Sequence, residues 1–315
     1  MLENFLYSIN VTIPIFAVMV LGWWLRQREM FNDNFVEIAN KFNFSVTLPF
    51  LVFRDIAAVD IRAVFDLKYV LFCAISSSVC FWGIWGLARF FIKDKTLIGA
   101  FVQAAFRSSA AVMGLAFISN LYGPSAMGPL MIIGAVPLYN IYSVIVLTFE
   151  AEGGREDSQK IKEAAVNIVK NPIIISIALG LAVSLLRLEF PVVVNKTIGY
   201  VAQVATPLAL VTLGAGFEGR KALAKMKPTL WAAFIKLIAQ ATIFIPVAIW
   251  IGFTGEKLIG IMVMLAAPAT PSCYIMAKNM KNDGILTASI VVSTTLLAAF
   301  TLTGWIFILR SLGFI

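Results

Sequence analysis

Apolar residues run along this chain in long blocks, not in the narrow periodic stripes of a water-soluble fold. A helix that crosses a bilayer needs about 20 mostly apolar residues. Runs of that kind, bounded by charge, glycine or proline, predict ten spans at approximately 5–25, 34–53, 69–91, 97–121, 125–149, 172–188, 193–216, 229–253, 258–278 and 285–309. The first reads as a retained span rather than a signal peptide. Trp23, Trp24, Arg26 and Arg28 follow it, with no small-residue cleavage site. The polar stretch 151–171 separates residues 1–150 from 172–315, and each part holds five spans. The predicted class is an all-α polytopic membrane protein.

The two parts resemble each other. A shift of 161 residues lays Leu97-Ile98-Gly99 on Leu258-Ile259-Gly260, Val102 on Val263, Ala105 on Ala266, Ala116 on Ala277 and Gly123 on Gly284. Five spans is an odd number, so successive halves insert with opposite orientation. That is the inverted-repeat plan of secondary transporters, whose sites lie at the midplane where matching helices are broken. Spans 4 and 9 are the matching pair here. Span 9 carries Pro268 and Pro271, which remove two backbone donors in mid-membrane. Span 4 has no proline, so its break rests on Arg107-Ser108-Ser109 and Gly114.

Composition narrows the function. Only 13% of the 315 residues are charged, 60% are hydrophobic, and there is no histidine. Soluble domains carry about 25% charged residues. A soluble enzyme, a nucleic-acid partner, histidine catalysis and histidine metal sites are thereby excluded. Cys73, Cys80 and Cys273 sit in apolar runs with no CxxC pattern, so neither a metal nor a cofactor is expected. The net charge of +8 comes from loop Lys and Arg. With the N-terminus outside, cytoplasmic loops hold fifteen of them and outer loops seven. This predicts an inner (cell) membrane protein with both termini outside and 151–171 as a cytoplasmic linker.

Charges within spans are the candidate chemistry, because inserting one costs about 2.5 kcal/mol or more. Arg107 lies at the expected break of span 4 and suits a carboxylate, which it can grip with two parallel hydrogen bonds. Lys41 and Lys236 are expected to snorkel towards the membrane surface. Glu37, Asp55, Glu150 and Glu218 fall near span ends, leaving no central carboxylate for a proton relay. Gln103, Ser108 and Ser109 in span 4, Pro137, Asn140 and Tyr142 in span 5, and Thr270, Ser272 and Tyr274 in span 9 are candidate polar neighbours. The expected activity is carriage of a small organic anion, by uniport or driven by the membrane potential. A sodium-coupled symporter and a transporter-like channel or sensor remain alternatives.

Four segments also resemble the auxin efflux carrier family: Asn40–Ile56, Phe106–Gly123, Gln203–Gly216 (QVATPLALVTLGAG) and Ala266–Lys278 (AAPATPSCYIMAK), with Asn171-Pro172 opening span 6. The resemblance implies ten helices in two inverted repeats, with helices 4 and 9 broken and crossing at Ser109, Gly114 and Pro268, beside Pro271. It implies a scaffold of helices 1, 2, 6 and 7, a transport domain of helices 3–5 and 8–10, elevator-type movement and a homodimer. Substrate would sit beside the crossing. Family members commonly have Asn where Ser109 stands. Plant members have prolines where Ser108 and Ala116 stand, and often a polar residue where Pro137 stands, so the helix-4 contact to substrate differs here.

Overall fold

The computed structural model describes residues 2–58, 66–110, 127–151, 166, 169–217 and 219–315, without the side chains of 2–12, 15, 128 and 129. The described residues are helical apart from short connections and two interruptions in mid-chain. In order the helices are α1 (Leu2–Gln27), α2 (Asp33–Phe42), α3 (Leu48–Ala57), α4 (Leu67–Phe91), α5 (Ile98–Phe106) and α6 (Met127–Phe149). After the linker come α7 (Pro172–Leu186), α8 (Val192–Ala215), α9 (Gly219–Ala224), α10 (Met226–Phe234), α11 (Gln240–Ile251), α12 (Gly255–Ala266), α13 (Ser272–Asn279) and α14 (Gly284–Ser311). Among the described residues five segments are long and apolar enough to cross a membrane: Leu67–Phe91, Leu130–Phe149, Val192–Ala215, Met226–Ile251 and Gly284–Ser311. The other expected spans fall on α1, on α2 with α3, on α5, on α7, and on α12 with α13.

Helix starts follow local chemistry. Asn32, Asp66, Asn171 and Asp283 each accept a hydrogen bond from a backbone N–H of the first turn of α2, α4, α7 and α14. Such caps satisfy donors that have no partner within the helix. Pro172 stands at the first position of α7, where its missing N–H costs nothing. Two π-turns interrupt otherwise continuous helices: Asn43–Thr47 between α2 and α3, and Ile235–Ala239 between α10 and α11. A π-turn adds a residue and leaves a carbonyl to be satisfied elsewhere. In the second π-turn, Trp305 Nε1 donates to Leu237 O at 3.1 Å.

Helices α1, α3, α7 and α8 pack on one another, and α4 packs on α5 and α6. Helices α10 to α14 pack together and against α5 and α6, while α14 also meets α1. The outer surface carries large apolar side chains such as Ile75, Trp82, Ile243 and Trp250, as lipid contact requires and water does not tolerate over a wide area.

Polar contacts collect at the two ends of the bundle. At one end Lys257 pairs with Asp66 at 2.5 Å, Lys68 Nζ donates to Ile251 O at 2.9 Å, and Gly255 N donates to Phe314 O at 2.8 Å. At the other, Arg89 pairs with Glu150 at 2.6 Å, Lys225 pairs with Asp283, and Asn282 Nδ2 donates to Leu147 O at 2.9 Å. Helix α12 therefore enters from the first end. Helix α5 enters from the second, since Gly99 abuts Asn282 and Glu150. The two short helices run into the bundle from opposite sides.

Helices α1 and α8 approach through glycine. A Cβ on Gly214 would collide with the Met19 carbonyl, and one on Gly22 with the Val211 carbonyl. Backbone cannot swing aside as a long side chain can. Gly214→Ala is expected to lower the melting temperature by about 5 °C, read by fluorescence-detected unfolding of purified protein. The end contacts predict a pH effect. The Lys257 hydrogen bond holds the Asp66 carboxyl below its ordinary 3.8. The carboxylate form is thus the one favoured by folding, and its contribution is full above 3.8 and lost as the pH falls through the folded value. Asp66→Asn keeps a capping oxygen but removes the charge. It should lower the melting temperature by about 1–2 °C at pH 7, with the difference closing in acid.

Candidate functional site

Span 4 and span 9 both lose their helix in the middle of the bundle. Helix α5 stops at Phe106, and Arg107 is extended at φ −77°, ψ 133°. Helix α12 stops at Ala266, and Ala267 is extended at φ −70°, ψ 153°. The cause at Ala267 is local: Pro268 has no N–H and its ring disfavours helical backbone in the residue before it. Helix α13 restarts after Pro271. Span 4 lacks a proline, and its break is held from outside. The Ser109 N–H donates to Pro268 O at 2.9 Å, so the two interruptions bond to each other. Gly114 lies outside the described residues.

Each freed carbonyl that the described residues satisfy has a named partner. Tyr139 OH donates to Met264 O at 3.1 Å, and Lys236 Nζ donates to Leu265 O at 2.9 Å. Gln240 Nε2 donates to Ala105 O at 2.6 Å. Ser108 Oγ lies 3.4 Å from Ala267 O, and as far from Val263 O, which already accepts the last helical bond of α12 from Ala267 N. On the donor side, Ala269 N reaches Thr294 Oγ1 at 3.2 Å. An unpaired backbone group at this depth would cost several kcal/mol, so this shell is what permits a break here.

Beside the breaks lies a cavity of about 70 Å³. Its walls come from five places: α3 with the residue Leu48 that starts it, the span-4 break, α6, α8 and the span-9 break. The polar groups on it are Asp55, Arg107, Ser108, Ser109, Tyr139, Asn140, Thr206, Thr270 and Ser272. Arg107 is 7% exposed. Its guanidinium donates to Asn140 Oδ1 at 2.9 Å and to Met276 Sδ at 2.8 Å, with Ser143 Oγ at 3.5 Å. All three acceptors are neutral. Among the described residues no carboxylate forms an ion pair with Arg107, so its charge on the cavity is met directly only by neutral groups, and Asp55 on the same cavity pairs with Arg54 instead. The first turn of α13 adds to it, since Ser272 sits at the positive end of that helix and on the cavity wall.

Of the residues singled out in the sequence, Arg107, Ser108, Ser109, Asn140, Thr270, Pro271 and Ser272 line this one cavity. Gln103, Pro137, Pro268 and Tyr274 do not. Gln103 is fully buried against Met276, and Pro268 contributes its carbonyl to the joint between the breaks. Tyr142 stacks on Phe81 and shares a hydrogen bond with Ser78. Two expectations are corrected. Lys236 does not snorkel: it is fully buried and bonded to Leu265 O and Gln240. Asp55 is not merely an acid near a span end. It sits on the cavity wall, paired with Arg54 at 2.8 Å. The signal missed was register: one further turn of α3 carries Asp55 into line with Leu51 and Leu48, which also face the cavity. Among the described residues no group of His, Cys, Asp and Glu could hold a metal ion.

The described residues thus form an apolar helical bundle with a buried arginine on a cavity beside two interrupted helices. A profile of the membrane transport protein family, the group to which the auxin efflux carriers belong, matches residues 7–306, and the chain belongs to that family. It is 22% identical to a protein named "Uncharacterized transporter YfdV" from Escherichia coli (strain K12), over 96% of this chain and 98% of that one. It is 21% identical to a "Putative malonate transporter" from Rhizobium meliloti (strain 1021), over 96% of each chain.

Proposed function

We propose that this protein carries a small organic anion, a dicarboxylate of about malonate size, across the cell membrane. The observation that carries this reading is Arg107: buried, bonded only to neutral groups, and set on a cavity shared by both interruptions. A buried cation without a counter-ion is costly, and an anionic substrate supplies what is missing. The size follows from the cavity. A water site occupies about 10–15 Å³ by the same measure, so 70 Å³ takes about five to seven heavy atoms. A short dicarboxylate fits; a polycyclic acid does not. The name of the Rhizobium relative points the same way.

In this reading spans 4 and 9 cross at the Ser109–Pro268 joint, within two inverted repeats at 1–150 and 172–315. Spans 1, 2, 6 and 7 form the scaffold and spans 3–5 and 8–10 the moving domain. The packing of α1, α3, α7 and α8 on one another supports that division, and the cavity lies where α3 and α8 face both breaks. Movement is of the elevator type, in a homodimer with both termini outside.

The test is counterflow of labelled malonate in proteoliposomes. Wild-type protein should exchange it, and exchange of no short carboxylate would refute the reading. Arg107→Ala should weaken malonate binding on the order of 100-fold, and Arg107→Lys should recover only part of that, because an ammonium lacks the planar fork.

Asp55 supports a second reading, in which a proton accompanies the anion. Its carboxyl shares the cavity with Arg107 and is titratable. Asp55→Asn should then abolish accumulation driven by a pH gradient while leaving counterflow intact. Unchanged gradient-driven accumulation in Asp55→Asn would remove Asp55 as the proton carrier, and no gradient-driven accumulation by the wild type would leave uniport as the mechanism.

A further inference from the structure

The short helices α5 and α12 meet at their carbonyl ends. Each C-terminus carries about half a negative charge, and here two of them face each other away from water. In ion-coupled carriers, half-helix C-termini and unwound carbonyls are where sodium binds. In this protein a side chain is already there. Lys236 lies on the π-turn Ile235–Ala239 and is 0% exposed. Its Nζ donates to Leu265 O of α12 at 2.9 Å and approaches Gln240 Oε1 at 3.4 Å. Gln240, one turn on, donates to Ala105 O of α5 at 2.6 Å. Ala105 and Leu265 are nearly equivalent under the 161-residue shift, which pairs Ala105 with Ala266. One element thus reaches carbonyls in the last turn of both short helices, one residue apart in the 161-residue register, and the ammonium is the only cation among these contacts.

We propose that Lys236 is a tethered cation standing where ion-coupled carriers bind an inorganic one, so that the breaks are held together without sodium. The ammonium supplies charge and hydrogen bonds to the facing carbonyl ends. Gln240 relays its position to the α5 end. Lys236 lies one turn from buried Ala232 and Ala233, on the inward face of a helix whose side chains Trp231, Phe234 and Ile238 face outward. The inference uses the carrier reading only for its consequence, sodium-independent transport. The contacts themselves stand apart from it.

The test is melting of the purified protein in sodium chloride and in choline chloride at equal ionic strength, with no substrate present. Wild-type protein should melt within about 1 °C in the two salts. Lys236→Ala removes a propylammonium-sized group. It should melt about 5 °C lower in choline, whose cation is too large to enter, and recover in sodium chloride or n-propylammonium chloride. A wild-type protein stabilised by sodium over choline would overturn the inference, because the cation position would then be vacant. So would a Lys236→Ala variant that melts like wild type in choline, or one that neither small cation restores. Lys236→Met fills the same space without charge and serves if the alanine variant does not fold. If neither variant folds, the wild-type comparison decides. Failure of malonate counterflow would refute the anion carrier and leave these melting results unaffected.

Discussion

Two helices ending carbonyl to carbonyl inside a bilayer form the constraint on which the rest of this structure depends. Neither end can reach water, and their dipoles repel. Everything close to the meeting point answers that problem. Ser109 N and Pro268 O bond the two interruptions to each other. Tyr139, Lys236 and Gln240 bring donors from two further places, and Ser108 brings one from the span-4 break itself, to the carbonyls that helical bonding abandons. A fold without these donors would close the breaks or exclude them from the membrane.

The same arrangement produces function. Breaking the helices leaves Arg107 in extended backbone and aims it at neutral acceptors beside a cavity rather than at a carboxylate. The positive charge is retained at a cost of desolvation, which is the feature the proposed anion would offset. Asp55 lines the same cavity and is paired with Arg54.

The parts of the site that were legible in the sequence share one property: their chemistry is local. Proline forces Ala267 out of the helix whatever surrounds it, and Pro268 and Pro271 lie far from any span end. Arginine in mid-span is conspicuous because its insertion is expensive. The parts that were not legible depend on who stands opposite. Lys236 resembles any lysine a few turns into a membrane helix. Only the approach of α12 turns it from a surface-seeking side chain into a buried donor to Leu265 O. Asp55 is likewise one turn from a helix end, and its place on the cavity wall follows from how α3 meets α8 and both breaks.

By itself the sequence determined the membrane class, the five long apolar spans found among the described residues, the break at Pro268 and the candidacy of Arg107. Each follows from hydrophobic run length, backbone stereochemistry or the cost of an intramembrane charge, and these act over a few residues. The tertiary structure decided that span 4 is also broken, although it lacks a proline. It decided too which side chains satisfy the freed carbonyls and which of the polar candidates share one cavity. Those outcomes rest on hydrogen bonds between residues more than a hundred positions apart, such as Ser109 with Pro268 and Gln240 with Ala105. No local rule anticipates which partner will supply the missing bond.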